Sequence, residues 1–152
     1  GGGARAGGTE DSKRCAREVV DQQGIWGTAW GKSMAERAGS SGHVRIRRQG
    51  QGQNAFAGSG RLGAVECSEM FRWFLGGWIA RAPELMAFYA PTVNSYKRYQ
   101  SGSWAPTGLA WSHDNRTAAF RVVGQGPSLR IECRIPGADC NPSLVHGAAL
   151  AS

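Results

Sequence analysis

Two segments of the chain carry residues that could take part in chemistry. In the first, Arg116 and Arg121 stand five residues apart. In the second, Arg130, Glu132 and Arg134 alternate with apolar residues. A carboxylate between two arginines is often only a solvated row of ion pairs that contributes little to stability. The same residue types can clamp phosphoryl oxygens through arginine and hold a divalent cation through the carboxylate, so both interpretations stay open here.

The elements that would position these residues are three short, mostly apolar runs: "TGLAWS", "TAAFRVV" and "LRIECRI". Pro and Gly separate the runs, which predicts short strands joined by turns, and we expect antiparallel pairing. Arg116 and Arg121 are predicted to share one strand, after a turn shaped by Asp114 and Asn115. In the last run the polar row occupies one face, and the opposite face is apolar, formed by Leu129, Ile131, Cys133 and Ile135.

The clearest helical pattern runs from Ser68 to Tyr89, where apolar residues recur at spacings of three and four. Ser68 is expected to cap a first helix, Pro83 to open a second and Pro91 to end it. The aromatic residues on this pattern favour a packed core over a ligand site; they are Phe71, Trp73, Phe74 and Trp78.

Further elements are predicted on both sides of this helical region. Upstream, residues 10–24 are predicted to form a helix with Cys15, Val19 and Val20 on one face, capped by Asp11 and ended by Gly24. "GIWGTAWGK" and "HVRIRR" then predict strands. Downstream, "NPSLVHGAALAS" predicts the start of a helix, with its first residue as the cap. The mixture of helices and strands predicts an α+β fold.

Length and composition narrow the function classes. The 152 residues fit one domain, and 41% hydrophobic residues are enough for a packed core. The formal net charge is +7, and 15 of the 18 basic residues are arginine. This bias, together with abundant Gly and Ala, is typical of a GC-rich genome. A basic nucleic-acid module is disfavoured, because the arginines are dispersed and no RNA-binding motif is present.

The lengths of the apolar runs and the spacing of the cysteines indicate which cellular compartment to expect. No run of eighteen apolar residues occurs, so no transmembrane helix and no membrane partner are expected. The cysteines form no CxxC pattern, and a signal peptide is not recognisable at the start, which together favour a reducing cytoplasm. We expect the thiols to behave as small buried hydrophobic groups; they are Cys15, Cys67, Cys133 and Cys140.

The residues at the two ends of the chain bear on where the domain begins and whether it is complete. Residues 1–9 are Gly-rich and are expected to be disordered, whereas 10–152 are expected to form part of one domain. The chain does not begin with Met, and its last residues stop inside an apolar, Ala-rich pattern. We therefore expect a piece of a longer chain.

Four segments in order resemble the glutamine synthetase superfamily: "APTVNSYKR", "WAPT", "DNRTAAFRVV" and "RIECRIPGADCNP". "GSSGHV" is similar to the Gly-rich turn and metal-binding His that precede them in the family. The resemblance covers about residues 13–152. It implies a partial catalytic domain, with a curved antiparallel sheet packed by helices. The family's N-terminal domain, its upstream catalytic strands and the C-terminal end would be absent.

The resemblance also implies an activity. Family members make an amide on the γ-carboxyl group of glutamate at the expense of ATP, through γ-glutamyl phosphate. Two divalent cations, Mg²⁺ or Mn²⁺, organise the site. Full-length members assemble into ring-shaped homo-oligomers. The chain is therefore expected to come from such a ligase and to be inactive alone; the alternative is a catalytically silent relative with a structural or binding role.

Residue roles carry over by motif. His43 and Glu132 would ligate the metal that bridges the ATP phosphates. The glutamate substrate would be held by Gly39, Arg98 and Arg134. The remaining set would contact the ATP phosphates and the transferred phosphoryl group; it comprises Arg116, Arg121, Arg130 and Arg45.

The flap residue Trp104 departs from the ammonia-using branch. Those enzymes carry an acid at this position, and Trp cannot attract or deprotonate ammonium. An indole can stack on an organic amine, including by cation–π contact. The pattern therefore resembles branches that join glutamate to polyamines, ethanolamine or other amines, unless Trp104 only packs under its loop. Arg45 and Arg47 replace a His and a Ser, and Ser143 replaces a Tyr, which fits either a silent relative or an error in the sequence.

Overall fold

The computed structural model of the chain describes residues 17–20, 25–31, 42–48, 52–137 and 139–152. The described strands are β1 Arg17–Val20, β2 Ile25–Gly31, β3 Gly42–Arg48, β4 Gly60–Leu62, β5 Val65–Cys67, β6 Trp111–His113, β7 Phe120–Val123 and β8 Arg130–Cys133. They form a six-stranded sheet in the order β1–β2–β3–β8–β7–β6 and a separate two-stranded hairpin, β4–β5.

The expected antiparallel pairing holds throughout the sheet except at one edge. β6 and β7 run parallel, with Trp111 opposite Phe120 and His113 opposite Val122. Short connections usually join antiparallel strands. Here residues 114–119 fold back along β6, beginning at Asp114 with a left-handed φ of 48°, so β7 starts beside the start of β6. Arg116 consequently lies in this connection and not on a strand, which corrects the prediction that it shares a strand with Arg121.

The predicted upstream helix is wrong where the structure describes it. Arg17–Val20 form β1, which pairs antiparallel with β2. The two adjacent valines are β-branched and favour an extended strand once a pairing partner is present. Cys15, Asp11 and Gly24 lie outside the described residues. The strands predicted for "GIWGTAWGK" and "HVRIRR" are confirmed as β2 and β3.

The helices pack on the apolar face of the sheet. They are α1 Glu69–Arg81, α2 Met86–Tyr89, α3 Val93–Tyr96 and α4 Pro142–Ala151, with a 3₁₀ turn at Gly126–Ser128. The caps predicted at Ser68 and Asn141 are confirmed. The second helix begins at Met86 and not at Pro83, because residues 82–85 form a turn stabilised by bonds to the carbonyls at the end of α1. No helix in the described ranges is long and apolar enough to cross a membrane.

Aromatic side chains link α1 to the sheet. The rings of Trp78 and Phe120 lie 5.2 Å apart between centroids, and the indole of Trp78 donates a hydrogen bond to the Tyr89 hydroxyl at 2.6 Å. Phe71 is fully buried against Phe56. The prediction of an all-core aromatic stripe fails at Trp73, which is 73% exposed, since it lies on the solvent side of α1. The apolar face predicted for β8 is confirmed, with all four members buried.

Ser68 joins α1 to the preceding loop through two hydrogen bonds. Its hydroxyl accepts from the Phe71 amide at 3.1 Å and donates to the Ala55 carbonyl at 2.7 Å. We expect Ser68→Ala to lower the free energy of unfolding by about 1–2 kcal/mol, because both bonds are lost. Urea denaturation measures the change. Ser101→Ala, in an exposed turn, is the control; equal values for the two variants would contradict the capping role.

Candidate functional site

The register of the sheet places Glu132 between two residues predicted to belong to the site. Glu132 on β8 is the Cα partner of His43 on β3 and, on its other side, of Arg121 on β7. Directly opposed residues lie on the same face of a sheet. The polar face predicted from alternation in β8 is therefore shared with Arg121 on β7, and the backbone of His43 is opposite Glu132 on β3. Three of the predicted site residues are brought together by strand pairing alone.

Glu132 is the most buried charged group that the structure describes, at 3% exposure. Its two carboxylate oxygens face two different arginines: Oε2 accepts from Nη1 of Arg121 at 2.9 Å, and Oε1 accepts from Nη1 of Arg134 at 3.0 Å. A buried carboxylate needs such compensation, because removing a charge from water costs several kcal/mol. Glu132 and Arg134 of the predicted row thus belong, together with Arg121, to a largely buried ion-pair network and not to a solvated surface row.

Arg121 has a second acidic partner that sequence reasoning assigned only to a turn. Asp114 Oδ1 accepts from Nε of Arg121 at 3.1 Å and also from its Nη2. The hydrogen bond from Arg121 holds the pKa of the Asp114 carboxyl below its usual range. Burial alone would lower the pKa of Arg121, but the bonds to Asp114 and Glu132 raise it above its ordinary value. The only sequence signal was an acid just before the two arginines.

Asn115 shapes the turn that the sequence predicts for Asp114 and Asn115. Its side-chain oxygen accepts from both the amide and the hydroxyl of Thr117, at 2.9 and 2.7 Å. These bonds shape the connection between β6 and β7. Arg116, next in the chain, is exposed and forms no ion pair with any described residue. Its guanidinium is therefore available to an incoming anion.

The Trp104 loop is tied to the same network through its backbone. Nη2 of Arg134 donates to the Trp104 carbonyl at 3.1 Å. Trp104 has a left-handed φ of 62°, and Gly102 one of 81°. The left-handed region is uncommon for residues other than glycine. The Trp104 side chain is 67% exposed, which excludes the alternative that it packs under its own loop in this structure.

The other predicted site residues lie at different places. Arg130, at the start of β8, donates from Nη1 to the Ser128 carbonyl at 3.3 Å. Arg45 is on β3, one residue beyond the last β3–β8 pair, Val44 with Ile131. Gly39 lies outside the described residues. Arg130 therefore lies at the edge of the polar face. For Arg45, the structure describes only the backbone position on β3.

Arg98 supports the backbone that carries the network. Its guanidinium donates to the Arg134 carbonyl at 3.0 Å and to the Ile135 carbonyl. Tyr99 also donates to the Ile135 carbonyl, at 2.7 Å, and its ring lies 5.1 Å from the Arg98 guanidinium carbon. Arg98 is thus in contact with the segment that follows β8, and two of its nitrogens are used by that segment.

A second group of polar residues holds the helix before Arg98. The carboxylate of Asp139 accepts from the hydroxyls of Ser95 and Thr92, the latter at 2.8 Å. Ser95 is 3% exposed and forms a capping box with Thr92 at the start of α3. This clamp, which sequence reasoning missed, links the segment around α3 to the loop after β8. Both loops flank the Glu132 network.

The cysteines are not chemical groups of the site. Burial raises the pKa of the Cys133 thiol to about 12, and burial also raises the pKa of Cys67 and Cys140. All three are free thiols; Cys67 and Cys133 are buried as predicted, whereas Cys140 is only half-buried, and Cys15 lies outside the described residues. Within the described part of the chain, no group of three or more His, Cys, Asp or Glu residues converges on one point.

Removing the charge of Glu132 should destabilise the fold. We expect Glu132→Gln to lower the free energy of unfolding by about 2–4 kcal/mol, because Arg121 and Arg134 lose their shared buried carboxylate. Glu66→Gln is the matched control, since its pair with Arg61 is exposed on both sides, and we expect a change within about 0.5 kcal/mol. Chemical denaturation measures both; a small loss at Glu132 would mean that the network is dispensable for folding.

The Asp139 clamp should depend on pH. Hydrogen bonding from Ser95, followed by that from Thr92, lowers the pKa of Asp139 from the ordinary value of 3.8. Its contribution to stability is therefore present above pH 3.8 and is lost as the pH falls through the lowered value. We expect the difference in unfolding free energy between wild type and Asp139→Asn to shrink below pH 3.8. A difference that stays constant from pH 6 to pH 2.5 would disprove the linkage.

Comparisons with known proteins agree with the resemblance in the motifs. The family model described as "Glutamine synthetase, catalytic domain" matches residues 8–152. The gamma-glutamylethanolamide synthetase GlnA4 of Streptomyces coelicolor is 43% identical over 141 residues, covering 92% of this chain and 29% of the relative. A glutamate–isopropylamine ligase of a Pseudomonas species is 42% identical over 142 residues, covering 92% and 30%.

A solved structure agrees with the fold. The cryo-EM structure of Plasmodium falciparum glutamine synthetase matches with a TM-score of 0.62 and 28% identity, over 74% of this chain and 22% of that one. The chain thus spans less than a third of the length of the proteins that it matches. Over the residues that it does contain, motifs, fold and family model agree: the chain belongs to the glutamine synthetase family and represents part of its catalytic domain.

Proposed function

We propose that this chain is part of an ATP-dependent ligase that joins the γ-carboxyl group of glutamate to an organic amine through γ-glutamyl phosphate. The observation that carries the proposal is the buried Glu132 carboxylate held between Arg121 and Arg134 on one polar face. Phosphoryl transfer depends mainly on positioning and on neutralising charge. A face with several arginines and one buried acid supplies both functions to an anionic substrate.

The arginines on and beside β7 would bind the phosphates. Arg121 is held in place by its two acidic partners, and Arg116 and Arg130 lie on either side of it in sequence. Arginine offers a planar set of donors that matches phosphate oxygens. In this proposal Arg116, Arg121 and Arg130 stabilise the negative charge of ATP and of the transferred group. Arg45 would contribute from β3.

Glu132 and His43 would hold a divalent cation. The donor set fits, because carboxylate oxygen and imidazole nitrogen both ligate Mn²⁺ or Mg²⁺ and because the two residues are Cα partners in the sheet. The cation would supply further neutralisation of phosphate charge. Its remaining ligands would be water and groups beyond these two residues.

Arg134 is the strongest candidate for glutamate binding. Its Nε is buried and has no hydrogen-bond partner among the described residues. Buried polar groups are nearly always paired in native proteins, so a substrate carboxylate would complete the donor set. Arg98 would assist, either directly or by holding the backbone of Arg134, and Gly39 would allow the amino-acid part of glutamate to approach the backbone.

Trp104 would select the amine. Its exposed indole stands on the loop that Arg134 holds, and so it lies next to the proposed glutamate site. An aromatic face attracts an ammonium group that carries alkyl substituents and shelters its apolar part. The two relatives reported above are named for ethanolamine and isopropylamine derivatives of glutamate, which supports an organic amine over ammonia.

The test measures ATP-dependent phosphate release by a protein that contains this segment with the rest of the catalytic domain. Glutamate is supplied with ammonium, ethanolamine, isopropylamine, putrescine or spermine, and we expect an organic amine to give the highest kcat/KM. Trp104→Glu should shift the ratio of kcat/KM toward ammonium by about tenfold. Trp73→Ala removes an equally exposed indole on α1 and should leave the ratio unchanged.

Two results would contradict the proposal. A clear preference of the wild type for ammonium would remove the role of Trp104 in amine selection. Absence of turnover with every amine would favour the silent relative instead. The 152-residue chain alone serves as the background, because it spans under a third of its relatives and is expected to be inactive.

A further inference from the structure

We propose that Asp114 is a positioning residue that acts through Arg121 and weakens anion binding at the polar face by occupying donors that a phosphate would use. The inference rests on the proposed function in one respect, namely that phosphate is the anion that this face receives. From the sequence, Asp114 is expected only to shape a turn, whereas in this proposal it sets the affinity of the site.

The donors of Arg121 are divided between two acids. A guanidinium has five N–H groups, and a phosphate binds best through two of them at once. Asp114 Oδ1 takes one from Nε and one from Nη2, which together form one bidentate edge of the group. Glu132 takes one from Nη1. An anion that approaches from the Asp114 side must therefore replace Asp114 to gain bidentate contact.

The two acids differ in how easily they can be replaced. The Asp114 side chain is 62% exposed, whereas that of Glu132 is 4% exposed. An exposed carboxylate can rotate away and be hydrated, so breaking its ion pair costs little. A buried one would lose its compensation. Asp114 is consequently the exchangeable partner of Arg121, and Glu132 is the permanent one.

The negative charge of Asp114 also weakens anion binding at this face. Arg121 and Arg134 carry two positive charges, and Asp114 and Glu132 carry two negative ones, so this group of four is neutral before an anion arrives. Without Asp114 the same face would carry one net positive charge. Arg116 lies close enough to Asp114 to affect its pKa, so the same carboxylate also offsets the exposed arginine. Removing the Asp114 charge should strengthen anion binding at both arginines.

The experiment measures binding of inorganic tripolyphosphate to the 152-residue chain by isothermal titration calorimetry at low salt, with EDTA present. We expect Asp114→Asn to bind about threefold to tenfold more tightly than wild type. Asp114→Glu, which keeps the charge, should restore wild-type affinity. Glu66→Gln is the matched control, because it makes the same change of net charge in the exposed β4–β5 hairpin, and it should change affinity less than twofold.

A double-mutant cycle tests whether the effect passes through Arg121. In an Arg121→Gln background, Asp114→Asn should no longer give the full gain in tripolyphosphate affinity, because the guanidinium that Asp114 occupies is absent. A gain that persists unchanged in that background would overturn the positioning role. Equal affinities for Asp114→Asn and Glu66→Gln would overturn the proposal and leave the ligase assignment intact, whereas no binding by any variant would count against both.

Discussion

The burial of one carboxylate organises this part of the catalytic domain. Glu132 lies on a central strand at 3% exposure, where an uncompensated charge would be very costly. Two arginines must therefore reach it, Arg121 from β7 and Arg134 from the segment that directly follows β8. Each arginine in turn contacts a loop, Arg121 through Asp114 and Arg134 through the Trp104 carbonyl. The positions of both loops thus depend on a requirement for charge compensation in the sheet.

Strand register is what allows this compensation. Arg121 is opposite Glu132 because Phe120, two residues from Val122, is buried on the other face of β7 against Trp78. A slip of one residue would move Phe120 to the polar face and Arg121 into the core. The apolar packing of α1 and the ionic pairing of the site therefore specify the same register. The alternation of apolar and polar residues in β7 thus places Phe120 in the aromatic core and Arg121 on the polar face.

Alternation and capping were predictable from the residues, whereas long-range pairing was not. The buried face of β8, the caps at Ser68 and Asn141 and the strand character of β3 all follow from local patterns. The helix predicted over residues 10–24 fails at the described Arg17–Val20, because two adjacent valines fit a helical face in the sequence but favour a strand once β2 offers pairing. The parallel β6–β7 pair depends on one left-handed residue, which sequence spacing does not reveal. For the candidate site, the motif supplied Glu132 and its arginines, but the acid Asp114 became visible only in three dimensions.

The bond between Arg134 and residue 104 uses a main-chain carbonyl and not a side chain. Every amino acid has that carbonyl, so a substitution at this position can change the surface offered to an acceptor without removing the attachment of the loop. The left-handed φ of 62° filters those substitutions, since β-branched residues tolerate it poorly and Asn, Asp or Gly adopt it readily. Under the proposed function, the side chain at position 104 can be exchanged to suit another acceptor amine while the loop stays anchored. The backbone geometry then limits which residues can appear there.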